Sequence, residues 1–191
     1  GSLFLQMNRN KLSLTVDPMS AEGREIVRKL VRTADVVVAN LPDQSLAAMG
    51  LDYASLCASK PDIIATTSSA FGSNGPMARN VGFDGVGQAM SGAVFMTGEP
   101  DQPYRAQVNW VDFGTALHCA FGTLAALMER GRSGKGQHVQ GSLLGTAMTF
   151  MNSFHIEQAV IEKNRVPSGN RGQAAAPVNI YRTANGWLLC Q

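Results

Sequence analysis

Asp112 is the first carboxylate to weigh for nucleophile or base chemistry, although its position alone favours a helix cap. It follows an apolar Trp110-Val111 step and opens the most strongly patterned helix in the sequence. A carboxylate at a helix start also has a common structural use. It caps, accepting hydrogen bonds from the first free N–H groups and complementing the helix dipole. The two uses are compatible, because exposed helix N–H groups also stabilise a developing oxyanion. Other candidates are weaker. Gly134-Lys135-Gly136 does not complete G-x-x-x-x-G-K-[ST], so the basic loop 131–136 reads as a helix C-terminus with favourable cations. Gly85-x-Gly87 is followed by Met90 where a dinucleotide fingerprint needs its third glycine. Asn8-Arg9-Asn10-Lys11 places two cations before a strand-like Leu12–Val16, either a solvated edge or an unspecific phosphate contact. His118 and Cys119 are helix neighbours whose side chains diverge by about 100°, which excludes a simple dyad.

The elements that must position these residues alternate between helix and strand. Ser20 predicts a cap for a helix to about Thr33, with Ile26, Val27, Leu30 and Val31 as its apolar stripe. Asp35–Asn40 and Ile63–Ser68 read as buried strands, separated by a helix that starts near Asp52 and stops before Pro61. That alternation implies a parallel sheet covered on both faces. From Phe71 to Pro103 periodicity is lost, apart from a helical turn or more within Gln88–Met96; a stretch this long inside a compact domain usually carries function. The helix opened by Asp112 places Phe113, Leu117, Phe121, Leu124 and Met128 on one face and has Gly131 as its stop signal. A short strand Gln137–Val139 follows, then a helix capped by Ser142 and running to about Glu162. The chain ends on a hairpin, Val178–Tyr181 and Trp187–Cys190, turning at Asn185-Gly186. Leu3-Phe4-Leu5 carries no initiation signal, so both ends read as if cut from within a larger fold.

Composition narrows the function classes. With 45% hydrophobic and 16% charged residues, the chain is globular. Sixteen basic against fourteen acidic residues leave +2, too weak an imbalance for a nucleic-acid or anionic-membrane surface. Cys57, Cys119 and Cys190 are widely spaced and no His or Cys set has metal-ligand spacing, which favours a reducing cytosol and no metal. No apolar run approaches membrane-spanning length.

Together the segments NRNKLSLTVD, ADVVVANL with AAMGLDY, SSAFGSNGP, GFDGVGQAMSG, TGEP, VDFGTALHCAFGTLAALMERGRSGKGQHVQGSLL and GNRGQAAAPVNIYRTANGW resemble the family III CoA-transferases, or CaiB/BaiF family, in the family's order. The resemblance implies an α/β fold: a Rossmann-like parallel-sheet large domain joined by long linkers to a small domain, with two subunits interlocked as a homodimer. Residues 1–162 would be a large domain lacking its first βα unit, and 163–191 a linker and the start of the small domain. Asp112 falls at the family's catalytic aspartate. Lys11, Asn40, Leu41 and Met49 fall where members contact coenzyme A, the co-substrate, while Ala48 replaces a frequent phosphate-binding arginine.

The implied reaction moves CoA from an acyl-CoA donor to a carboxylic acid acceptor through an aspartyl mixed anhydride and an aspartyl-CoA thioester. Backbone N–H groups near Asp112, or a glycine loop outside this chain, would hold the oxyanions. The α-methylacyl-CoA racemases share the fold but carry His at the position of Phe83, and a phenyl ring cannot shuttle a proton. Asp84, beside it, reads as a structural turn residue. Two alternatives stand beside transfer: racemisation, and a catalytically incomplete piece that binds CoA without turnover.

Overall fold

The computed structural model describes all 191 residues. Helix α1 (Ser2–Met7) occupies the N-terminal apolar stub with no side-chain cap, and it is followed by a segment without regular secondary structure that includes Leu12–Val16. The strand expected there does not form, because no neighbouring strand pairs with it and an extended segment without a ladder partner is not a strand. Helix α2 (Ala21–Thr33) begins where predicted: Ser20 Oγ accepts from Gly23 N–H at 3.0 Å. Its stripe is narrower than expected. Val31 is buried and Val27 packs beside it, whereas Ile26 and Leu30 stay largely exposed.

Strand β1 (Val36–Ala39) leads to helix α3 (Asp43–Met49), which the sequence reading lacked. Pro42 precedes it and Gly50, at φ 70°, ends it in the left-handed conformation that glycine accommodates freely. Helix α4 (Tyr53–Ser59) is capped by Asp52, whose Oδ1 accepts from Ser55 N–H, and strand β2 (Ile64–Ser69) follows. Helices α5 (Asp84–Met90) and α6 (Ala93–Thr97), divided at Gly92, order the glycine-rich region more fully than predicted. Helix α7 (Trp110–Ser133) starts two residues before Asp112. It also passes through Gly131, and its left-handed terminator is Gly134 (φ 70°).

Strand β3 (Gln137–Ser142) is twice as long as expected. The single helix predicted after Ser142 is two, α8 (Leu143–Phe150) and α9 (Asn152–Ile161). Thr149 Oγ1 donates back to Gly145 O at 2.8 Å, a bond that bends helices, and the break follows at Met151. The terminal hairpin forms from β4 (Asn179–Thr183) and β5 (Gly186–Cys190), turning at Ala184-Asn185, one residue earlier than read.

The α/β class holds: β1, β2 and β3 form a parallel sheet in that order. One face, carrying Val37, Ala65 and His138, is covered by α2 and α4. Val31, Leu56, Ile63 and Ala65 make its core, and Tyr53 stacks on His138 with ring centroids 5.1 Å apart. Burial there holds the His138 imidazole below the ordinary histidine range, with Asp43 opposing. The other face, carrying Thr66 and Val139, is covered by α7, where Thr66 and Thr123 hydroxyls bond at 2.6 Å.

Helix α7 reverses one expectation. Its large apolar residues Leu117, Phe121, Leu124 and Met128 are 60–80% exposed, while Val111, Gly114, Thr115, Cys119 and Ala126 are buried. The small residues face the sheet because the approach is close: a Cβ on Gly122 would lie 2.9 Å from Val139 Cγ1. At 24 residues, α7 is also long and apolar enough to cross a bilayer, a length hidden in the sequence by its interspersed polar residues. Here it packs along β2 and β3.

Candidate active site

The placement of Asp112 follows from the length of α7. At its C-terminal end, Arg130 donates to Asp35 Oδ1 at 2.8 Å and to Asp62 O at 3.4 Å, residues just before β1 and β2. That end is therefore pinned to the N-terminal edge of the sheet. A helix of this length spans roughly 36 Å and a six-residue strand roughly 20 Å. The N-terminal turn must then overshoot the opposite edge, which puts Asp112 beyond the C-terminal ends of the strands, where open α/β sheets bind ligands. Asn40 and Leu41, directly after β1, lie on that same edge, and Met49 closes α3 beyond them. Lys11 is not drawn in: its ammonium donates to Met7 O at 2.6 Å within the N-terminal segment. Ala48, next to Met49, is exposed.

Asp112 does not cap its helix. Asn109 holds the cap position without a side-chain bond, and Asp112 is the third helical residue. The capping carboxylate comes from a different element. Asp84, the buried first residue of α5, accepts at one oxygen from Val111 N–H (2.9 Å) and Asp112 N–H (3.1 Å). Its other oxygen accepts a short bond from the buried Gln88 amide, one helical turn on. Gln88 in turn accepts from Ala106 N–H at 2.9 Å and reaches the carbonyls of Ala106 and Val108 at 3.4 and 3.5 Å. Gly87 completes the junction, since a Cβ there would meet Val111 Cγ1 at 2.8 Å. The Gly85-x-Gly87 pair thus serves close packing of α5 on α7.

This shell leaves the Asp112 carboxylate accessible but ties down the backbone around it. Its carboxyl pKa is raised, first by partial burial and second by the charge of Asp84. A carboxylate held above its ordinary value is less stabilised as an anion and more basic, which suits attack on a carbonyl. The expectation that neighbouring N–H groups serve as oxyanion donors is corrected. Trp110 N–H donates to Val108 O, those of Val111 and Asp112 to Asp84, and that of Phe113 to Asn109 O. None of these first-turn donors is free.

The remaining candidates are structural. Cys119 is buried against β3 at Gly141 and burial raises its thiol pKa, whereas exposed His118 lies against Phe150 and Thr146. The two diverge, as their spacing required. No group of His, Cys, Asp and Glu is arranged to hold a metal ion. Asp84 and Gln88 form an anchoring pair; the sequence alone reads Asp84 only as a structural turn residue and gives Gln88 no role. Their i, i+4 spacing was a visible signal, but the helix they anchor lies more than twenty residues away.

The family model for "CoA-transferase family III" matches residues 1–191. Among curated proteins, the chain is 37% identical over 183 residues to a succinate–glutarate CoA-transferase of Agrobacterium fabrum, covering 95% of this chain and 46% of that protein. It is also 37% identical to a succinyl-CoA–D-citramalate CoA-transferase of Chloroflexus aurantiacus, with the same coverage. Among solved structures, a CAIB/BAIF family protein from Brucella suis superposes with a TM-score of 0.88 at 36% identity, covering 95% of this chain and 48% of the other. The chain spans about half the length of the curated relatives it matches.

Proposed function

This chain belongs to CoA-transferase family III, and from that premise we propose that Asp112 is the acyl- and CoA-accepting carboxylate of an acyl-CoA:carboxylate CoA-transferase. One observation carries the assignment: Asp112 stands accessible at the ligand-binding edge of the sheet, on backbone that Asp84 fixes, with a raised pKa.

The chemistry follows from the carboxylate. Asp112 attacks the thioester carbonyl, and collapse of the tetrahedral intermediate forms an aspartyl mixed anhydride and expels CoA thiolate. The thiolate attacks the aspartyl carbonyl, which releases the donor acid and leaves an aspartyl-CoA thioester. The acceptor carboxylate then attacks that thioester to form a second anhydride and thiolate. Attack of this thiolate on the acceptor's acyl carbon yields the new acyl-CoA and regenerates Asp112. Exclusion of water is needed throughout, because hydrolysis of either anhydride wastes the thioester. The names of the relatives pair succinyl-CoA or succinate with short dicarboxylic acids, and we take such acids as the substrate class. Asn40, Leu41 and Met49 would line the CoA site, with Lys11 reaching it only by a shift of the N-terminal segment.

A homodimer is part of the same reading. A globular monomer of 20.3 kDa exposes roughly 8,800 Å², whereas this chain exposes 13064 Å². The excess of about 4,300 Å² on one chain, about 8,600 Å² on two, is more than the area both partners of an obligate interface bury together; we assign part of it, including the outward apolar residues of α7, to the dimer. The three free cysteines suit the cytoplasm. We assign 1–162 to the large domain and 163–191 to the linker and start of a small one.

The test is CoA exchange from succinyl-CoA to a panel of carboxylic acids, with Asp112→Asn as control. Exchange that disappears in the variant supports the reading. Exchange that persists removes Asp112 from the mechanism, and CoA binding without any exchange identifies a non-catalytic chain.

A further inference from the structure

We propose that Arg105 receives the second carboxylate of a dicarboxylic acid, and so selects short diacids over monoacids. The inference rests on the transferase reading above. Four of the other ten arginines are paired with carboxylates: Arg28 with Glu25, Arg130 with Asp35 and Asp62, Arg132 with Glu129 and Arg165 with Glu157. Arg105 is exposed and has no carboxylate partner; its guanidinium donates only to the carbonyl of its neighbour, Ala106, at 3.3 Å.

That neighbour is not ordinary loop. Its carbonyl and N–H are both held by the buried Gln88, which holds Asp84, which holds the Asp112 N–H. No link in the chain exceeds 3.5 Å. Added together the links bound the separation of the Arg105 guanidinium from Asp112 N at roughly 14 Å, and any bend in the path shortens it. A four- or five-carbon diacid seated on the Asp112 side chain covers much of that distance. Phe83, next to Asp84, and Val108, whose carbonyl Gln88 reaches, expose apolar side chains, 76% and 66% accessible, that a methylene chain could lie against.

The charge balance gives the cation its purpose. The reacting end already holds two carboxylates, Asp112 and Asp84, and a diacid brings a third negative charge that takes no part in the reaction. A planar guanidinium binds such a carboxylate in a two-pronged, charge-assisted geometry. A monoacid has no use for it.

The experiment compares glutarate with pentanoate, the same chain without the distal carboxylate, as acceptors at saturating succinyl-CoA. In Arg105→Gln the KM for glutarate should rise about thirtyfold with kcat nearly unchanged, while kcat/KM for pentanoate stays within twofold; Arg105→Lys should recover part of the loss. Equal losses for both acceptors, or an unchanged glutarate KM, overturn the assignment. Absence of exchange in the unmodified protein instead overturns the transferase reading on which it rests.

Discussion

Replacing Asp84 should loosen the helix that carries Asp112, and the cost can be worked from its contacts. Its carboxylate is 4% exposed and takes both the Val111 and Asp112 N–H groups, while its second oxygen takes the Gln88 amide. Asp84→Ala leaves two N–H groups in the first turn of α7 without partners, at about 1 kcal/mol each or somewhat more. Loss of a negative charge at the helix N-terminus adds about 0.5 kcal/mol. Relief of repulsion with Asp112 offsets part of this. The expected net loss is about 2–3 kcal/mol. Asp84→Asn should cost less, about 1 kcal/mol, because one oxygen remains; that oxygen can serve α7 or Gln88 but not both. Urea unfolding followed by circular dichroism measures both values from the midpoint, provided the slope is unchanged. A loss under about 0.5 kcal/mol for Asp84→Ala, or an asparagine variant as damaged as the alanine, would refute the capping account.

Because burial and Asp84 raise the Asp112 pKa, the anion needed for attack forms only above the ordinary aspartate range. The acid limb of kcat/KM should lie above pH 3.8 and move down in Asp84→Asn, which a pH–rate profile reads directly. Gly87→Val should cost about 2–3 kcal/mol through overlap with Val111 and lower kcat together with stability, as unfolding and exchange assays on one variant would show. Charge on the outer face of α7 should break the homodimer we propose. Leu117→Glu with Phe121→Glu should shift sedimentation from two chains to one without changing the circular dichroism of the folded subunit.

What could be read in the sequence was local. Ser20, Asp52 and Ser142 are side chains that satisfy nearby N–H groups, so their helix starts were legible without any tertiary information. The β1 and β2 runs were legible from their apolar openings, Val36–Ala39 and Ile63–Ala65, although β1, expected to be buried, is only partly covered and leaves Val38 73% exposed. The inward face of α7 was not, because hydrophobic periodicity marks the bulky side and this helix turns its small side to the sheet. Leu12–Val16 shows the same limit from the opposite side: its alternation is strand-like, but a strand exists only with a partner.

The site divides in the same way. The position of Asp112 before a long helix suggested a cap, and its proposed reactive role came from the family resemblance, while its anchor was hidden by distance in sequence. Asp84 looked like a turn residue because its partners, Val111 and Asp112, lie on another helix. For that reason Asp112 was read with a capping role that belongs to Asp84, and its neighbouring N–H groups were credited with a freedom they lack.

The most direct test of the central claim is mass spectrometry of the protein mixed with succinyl-CoA. A CoA adduct on the peptide that holds Asp112, cleaved by hydroxylamine and missing in Asp112→Asn, is the predicted result. An adduct on another residue, or exchange that proceeds with Asp112 never modified, would contradict the account.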